Sequence, residues 1–352
     1  MRILGFCHRV DHTGAPIMLY RLLSELAKRH EVELLLPTTP GEAPYLIPDY
    51  EAAGVKCIDW ANMKKYDVFI SNTVMSAQVI LEAAGRTPIL WWIHEPKSGK
   101  GMFETGMTDP AAFKCVNHVV FPTQWQAEEV YAGYLGDLSW EVVPYGLKVD
   151  TATKPRPANI PEDTFNIVQL GWFAPRKSQH VTINALGGLN NPDTHLFLLG
   201  GETTLLDYSA HCRETVAASP FLRDRVHFMG SQRAEVVNAY LQHCDLMVFP
   251  TRDDLITLSI IEAMNHERCV VSSDFGPIPE TVIDGETGLL HPVGAAVVMA
   301  SQIDRVIKDR DLRLRLARAG RDLVRVKHGH EAHILAMERA LEKTAAMTPI
   351  KP

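Results

Sequence analysis

The chain has 352 residues, enough for two domains, with 46% hydrophobic and 22% charged residues, the proportions of an ordinary globular protein. A formal net charge of -7 leaves no basic excess to neutralise phosphates and argues against nucleic acid as the main partner. No apolar run reaches bilayer-spanning length, the opening Met-Arg-Ile-Leu-Gly-Phe-Cys-His-Arg turns polar too early for a signal peptide, and six scattered cysteines without a C-x-x-C pair predict reduced, buried thiols in a cytoplasmic protein without structural zinc.

Arg2–Cys7 reads as a first strand. A glycine-bearing loop, His12–Pro16, leads to a helix from Ile17 through Arg29 whose Met18, Leu19, Leu22, Leu23 and Leu26 share one face. Further strands are expected at Val32–Leu36, Val55–Ile58, Val68–Ile70, Ile89–Ile93, Val119–Phe121 and Trp140–Val143. Between Ile93 and the next strand, Pro96–Met102 is glycine-rich and suits a mobile lid. Asp150–Asp163 is proline-rich without an apolar period and reads as a linker. The alternation resumes at Phe165–Leu170, Thr194–Leu199, Val226–Phe228, Leu246–Phe249 and Cys269–Ser272. It gives way to helices from about Met299, the last from about Glu331 to Lys343.

Short apolar strands alternating with helices predict α/β units with parallel sheets covered on both faces. The expected organisation is two doubly wound, Rossmann-like domains facing across a cleft. The first covers 1–155 and the second 160–330. Neither domain carries a G-x-G-x-x-G fingerprint, and the chain has no Walker loop and no G-x-S-x-G elbow. These absences disfavour nicotinamide dehydrogenases, P-loop NTPases and serine hydrolases. His328, His330 and His333 lie in a polar stretch without partner acids or cysteines at ligand spacing and are expected to be surface histidines.

Most chemistry-bearing residues follow a predicted strand, where ligands of open parallel sheets bind. Arg176 and Lys177 stand at a helix N-terminus, a placement the helix dipole opposes unless an anion lies between them. A solvated pair of loop cations is the ordinary alternative. His94 ends a hydrophobic strand and either reaches a sugar hydroxyl or bonds local backbone. Asp254 sits in a loop and Glu262 about one turn into a helix from Ser259 through Met264, with Thr257 or Ser259 as its cap. They are either ligand contacts or an ordinary loop acid and helix acid. Gly14 allows a tight turn and close approach of backbone amides to a ligand.

Taken in order, these segments resemble the family 4, retaining glycosyltransferases of GT-B fold. Gly14-Ala-Pro, Pro122-Thr-Gln-Trp125 and Val143-Pro-Tyr-Gly146 stand where that family has its glycine loop, P-S-x-x and I-P-N-G segments. Arg176-Lys177 falls on its R/K-K-G, and Asp254–Glu262 on its E-x7-E. Gly276-Pro-Ile-Pro-Glu280 and Gly285-Glu-Thr-Gly-Leu-Leu290 fall on its G-G-x-P-E and G-x-x-G-x-L.

The resemblance implies a UDP- or GDP-linked sugar as donor and a glycan, lipid-linked or small-molecule acceptor on the first domain, onto which the C-terminal helix, 331–348, would cross back. It implies no metal or other cofactor, and peripheral membrane contact if the acceptor is lipid-linked. Arg176, Lys177, His94 and Asp254 would be catalytic. Glu262, Thr257, Leu258, Ser259, Gly14 and Ser231 would hold the nucleotide. The pattern is broken at Trp172, where many members have arginine, and at Asp254, which replaces a glutamate. Ser178 and Pro277 replace glycines, and Leu255-Ile256-Thr257 replaces Gly-Phe-Gly. An epimerase or phosphorylase of the same fold and a transferase-like binding scaffold are the alternative readings.

Overall fold

The computed structural model describes residues 1–38, 45–148, 152–202, 206–255 and 258–351. They form two compact units, one of Met1–Gly146 with His330–Pro352 and the other of Leu147–Gly329. The change of unit falls at Gly146–Leu147, ahead of the proline-rich stretch. That stretch belongs to the second unit, where Lys154 is strapped to the helix Ala234–His243 through Gln242 (2.8 Å) and His243 (2.9 Å).

Unit 1 is built on seven strands: β1 (Arg2–Cys7), β2 (Glu31–Leu35), β3 (Lys56–Ile58), β4 (Val68–Asn72), β5 (Ile89–Trp92), β6 (His118–Phe121) and β7 (Ser139–Val142). All pair in parallel, in the order β3-β2-β1-β4-β5-β6-β7. β5 is buried throughout, and its Trp91 and Trp92 are among the largest side chains wholly withdrawn from water. A strand in mid-sheet packs on both faces, so its sequence reads as one apolar run rather than an alternation.

The helix Gly14–Leu26 buries Met18, Leu19, Leu22, Leu23 and Leu26, the face its periodicity marks. The helix His330–Ala345 buries Ile334, Met337, Ala340 and Leu341. It packs on β4, β5 and β6 and holds Arg29 and His30 through Glu338 at 2.7 and 2.6 Å.

Unit 2 carries β8 (Phe165–Leu170), β9 (Thr194–Leu199), β10 (Val226–Gly230), β11 (Leu246–Phe249), β12 (Cys269–Ser273) and β13 (Leu289–His291). These too are all parallel, in the order β10-β9-β8-β11-β12-β13. Both units are therefore doubly wound. The strand order reverses between β1 and β4 in unit 1, and between β8 and β11 in unit 2. Ligands of such sheets sit at the carboxyl ends of the strands flanking this reversal.

Beyond β8 and β9 the chain keeps its pairing, with Gly171 donating to Leu199 and Phe173 to Gly201, both at 2.9 Å. The approach is so close that a Cβ on Gly200 would stand 1.9 Å from the Gly171 carbonyl oxygen. Gly200→Ala is therefore expected to cost about 1–3 kcal/mol through overpacking against main chain, which cannot rotate away. Thermal denaturation should show a loss of several degrees; an unchanged melting temperature would contradict the packing.

Candidate active site

In unit 2 the chain leaves β8 through Gly171 and Trp172 and makes one tight helical turn at Pro175–Lys177. It passes Ser178 in the left-handed region (φ 55°) before entering the helix Gln179–Gly187. A residue with a Cβ held there costs roughly 1–3 kcal/mol, which the surrounding bonds offset. Gln169 donates to the Lys177 carbonyl (2.9 Å) and accepts from Thr182 (2.7 Å). The Arg176 carbonyl accepts from the Thr251 hydroxyl (3.0 Å) and the Arg252 amide (2.9 Å). The loops after β8 and β11 are thus tied together at the level of the main chain.

The side chains complete that link across the strand reversal. Asp254 Oδ2 accepts from Lys177 Nζ and from Arg176 Nη1, the latter at 3.0 Å. Arg176 also reaches the Asp253 carbonyl at 3.3 Å. Lys177 is buried, its ammonium 4.9 Å from the centroid of the Phe249 ring, whereas Arg176 is half exposed. Burial pushes the Lys177 ammonium below the usual lysine range; the Asp254 charge opposes this and the neighbouring Arg176 charge adds to it. Two cations converging on one carboxylate oxygen make a site suited to an anion, and the anion they hold is the protein's own Asp254.

The helix Leu258–Asn265 follows β11. Leu258 and Ser259 form its first turn and are half-buried, so Ser259 lies inside the helix rather than capping it. Thr257, the expected cap and phosphate contact, lies outside the described residues. Glu262 is half-buried one turn in. Ser231, exposed at the bend after β10, stands two strands from the cation pair.

His94 and Gly14 belong to unit 1. Asn72, at the end of β4, donates to the Ala15 carbonyl (3.0 Å) and to Cys7 Sγ (3.3 Å), which turns its Oδ1 toward His94 Nε2 at 2.5 Å. The network therefore puts the imidazole proton on Nε2 and leaves Nδ1 to accept from the Tyr145 hydroxyl at 2.7 Å. Burial, with His333 and His8 nearby, lowers the His94 pKa to about 3, so the ring is neutral. Both nitrogens are engaged within unit 1, and a bond to a sugar hydroxyl would require one of these to open. Gly14 is exposed as the first residue of its helix, and Asn72 links the adjoining Ala15 to His94.

The residues around His94 that the sequence does not single out include Asn72, Thr73 and Glu95. Thr73 is buried at φ 76°, with its hydroxyl on His8 (2.7 Å) and its carbonyl on Trp91 (2.7 Å). Glu95 accepts from the amides of Val74 (3.0 Å) and His94 (3.2 Å), and burial raises its pKa to about 7. Tyr145 lies in the Val143-Pro-Tyr-Gly146 segment, whose position marked it without revealing its partner. No local pattern marks Thr73 or Glu95.

Two expectations are corrected. Pro96–Met102 is no loose lid, because Lys97–Glu104 is a helix with Phe103 buried and Gly99 tight against Glu95 and the Tyr131 hydroxyl. His328 and His333 are buried, not superficial: His328 meets the Thr281 hydroxyl at 3.1 Å and His333 donates to the Pro144 carbonyl at 2.8 Å. Among the described residues no group of three or more His, Cys, Asp or Glu is placed to hold a metal ion, and no helix is long and apolar enough to cross a membrane.

Residues 150–323 match the family model described as glycosyl transferases, group 1. The uncharacterized glycosyltransferase YqgM of Bacillus subtilis is 29% identical over 156 residues, 44% of this chain and 42% of that protein. The alpha-D-kanosaminyltransferase of Streptomyces kanamyceticus is 30% identical over 111 residues, 32% of this chain and 29% of that protein. The chain thus spans less than half the length of these two relatives. Among solved structures, HepE of Anabaena in complex with UDP superimposes with a TM-score of 0.80 at 19% identity, covering 97% of this chain and 100% of that one. The same protein in complex with UDP-glucose gives 0.78 at 18% identity and the same coverage. The fold shared with these structures is GT-B.

Proposed function

We propose that this chain is a metal-independent, retaining glycosyltransferase that moves a hexose-type sugar from a nucleotide-diphosphate sugar to a glycan, lipid-linked or small-molecule acceptor. The observation that carries this reading is the convergence of Arg176 and Lys177 at the strand reversal of unit 2, beside the start of the helix Leu258–Asn265. The match of residues 150–323 to group 1 glycosyl transferases supports it, as does the fold shared with a protein that binds UDP and UDP-glucose.

On this reading the donor diphosphate displaces the Asp254 carboxylate from the two cations. Lys177, buried and fixed, places its charge where negative charge grows as the bond from the anomeric carbon to the diphosphate breaks. The acceptor oxygen bonds to the same face of that carbon, and the acceptor proton passes to the departing phosphate oxygen. The products are the glycosylated acceptor and a nucleoside diphosphate. Asp254, once released, accepts from a hydroxyl of the transferred sugar. Glu262 accepts from the ribose diol. His94 acts through Asn72 and Tyr145, keeping the end of β4 and the Ala15 loop in place.

The test is calorimetric titration with UDP, UDP-glucose, GDP and GDP-mannose. One nucleotide class should bind, and Glu262→Ala should weaken it by roughly 10- to 100-fold, the worth of one hydrogen bond to a charged group. Equal binding by Glu262→Ala would remove the ribose assignment.

A further inference from the structure

Trp172 is the residue of the site that the proposed chemistry leaves unused. More than half of its surface is exposed (56%), unusual for the largest apolar side chain, yet it is firmly seated. Its indole rests on Gly201, where a Cβ would stand 2.7 Å from the ring. Its carbonyl accepts from Gln179 Nε2 at 2.9 Å, and the flanking residues keep the β8–β9 pairing through the Phe173 amide on the Gly201 carbonyl (2.9 Å). The indole thus lies against the Gly201 backbone while more than half of the residue stays open to solvent. A rigid, half-open aromatic plane is a surface made for a flat ligand face, because little side-chain freedom remains to be lost on binding.

The strand order says which part of a ligand would meet it. The helix Leu258–Asn265 packs on β11 and β12, the Lys177–Asp254 pair spans the ends of β8 and β11, and Trp172 lies at the ends of β8 and β9. Neighbouring strands are about 4.8 Å apart. A donor with its ribose at Glu262 and its diphosphate on the cations therefore runs along the strand ends toward Trp172, with its sugar leading.

The geometry points to Trp172 as an aromatic platform for the transferred pyranose, packing the C–H face of the ring on the exposed indole. This rests on the transferase reading and adds to it a determinant of which sugar is accepted. A pyranose with its hydroxyls equatorial presents a continuous C–H face, whereas an axial hydroxyl on that face would strike the indole.

The test compares Kd for a nucleoside diphosphate with Kd for its sugar conjugate, using UDP with UDP-glucose and GDP with GDP-mannose. Trp172→Leu should reduce the advantage of the sugar conjugate by about 3- to 10-fold and leave the free diphosphate within about twofold. Trp172→Phe should keep most of that advantage. Gly201→Ala, which leaves the tryptophan present but lifts it from its seat, should lose it as Trp172→Leu does. An advantage unchanged in Trp172→Leu overturns the platform while leaving the transferase reading intact. Equal weakening of the free diphosphate overturns it too, by moving the contact to the base or the phosphates. A parent protein that binds neither diphosphate fails the transferase reading, and the platform with it.

Discussion

Asp254→Asn is expected to bind the free nucleoside diphosphate more tightly than the parent while turning over more slowly. Asp254 Oδ2 accepts from both Arg176 and Lys177, so a diphosphate that takes these cations must displace an internal competitor. A hydrogen bond to a charged group contributes about 1.5–3 kcal/mol. Asparagine removes the charge and keeps the shape, and it leaves a buried Lys177 ammonium with less compensation. Both effects favour an external anion, and a gain of roughly 5- to 30-fold in affinity follows if about 1–2 kcal/mol of the internal pairing is no longer given up. Turnover should move the other way, because the released carboxylate is the group assigned to the sugar. Calorimetry with the nucleotide the parent prefers, beside steady-state rates, separates the two. Weaker diphosphate binding in Asp254→Asn would mean that the carboxylate holds the cations in place for the ligand rather than against it.

Lys177→Met should lower kcat by roughly 10²–10³, the range seen when one preorganised charge or donor at a developing anion is lost. Folding should survive, because the bonds that shape this turn are made by main chain: the Lys177 carbonyl takes Gln169, and the Arg176 carbonyl takes Thr251 and Arg252. Methionine retains the unbranched stem that runs past Gly171, where the Lys177 Cδ lies 3.4 Å from a Cβ position. Arg176, 3.0 Å from the same Asp254 oxygen in the parent, remains as its partner in the variant, so the acid is not stranded. Melting temperature and kcat should therefore part company. A kcat within a few-fold of the parent would reject the leaving-group role.

The two sheets were readable because parallel strands buried on both faces carry unbroken apolar runs; β5 and β11 are clear cases. β13 was not, since Leu289–His291 is three residues long and follows a glycine turn. The helix Lys97–Glu104 was hidden by Gly99 and Gly101, and its order comes from Gly99 fitting against Glu95 and Tyr131, a contact that sequence spacing does not encode.

The site divides along the same line. Arg176, Lys177 and Asp254 stood out one by one as charged residues after strands. Their union on a single oxygen joins positions 77 residues apart and follows only from β8 and β11 being neighbours. His94 was visible at the end of a hydrophobic strand, but its partners Asn72 and Tyr145 come from other strand ends. The polar surroundings of His328 and His333 point to exposure, yet both are buried, because burial there depends on where helices dock and not on local composition.

Unit 1 is split in the chain: the helix His330–Ala345, which covers β4, β5 and β6, is encoded after the whole of Leu147–Gly329. During synthesis, therefore, the second unit has all its parts while the first still lacks a wall. Trp92, which packs 5.6 Å from His333, would meanwhile wait uncovered on that side. Unit 1 is begun first and finished second, so a chain that stops between Gly329 and His330 has every part of its second unit and lacks the helix that covers its first.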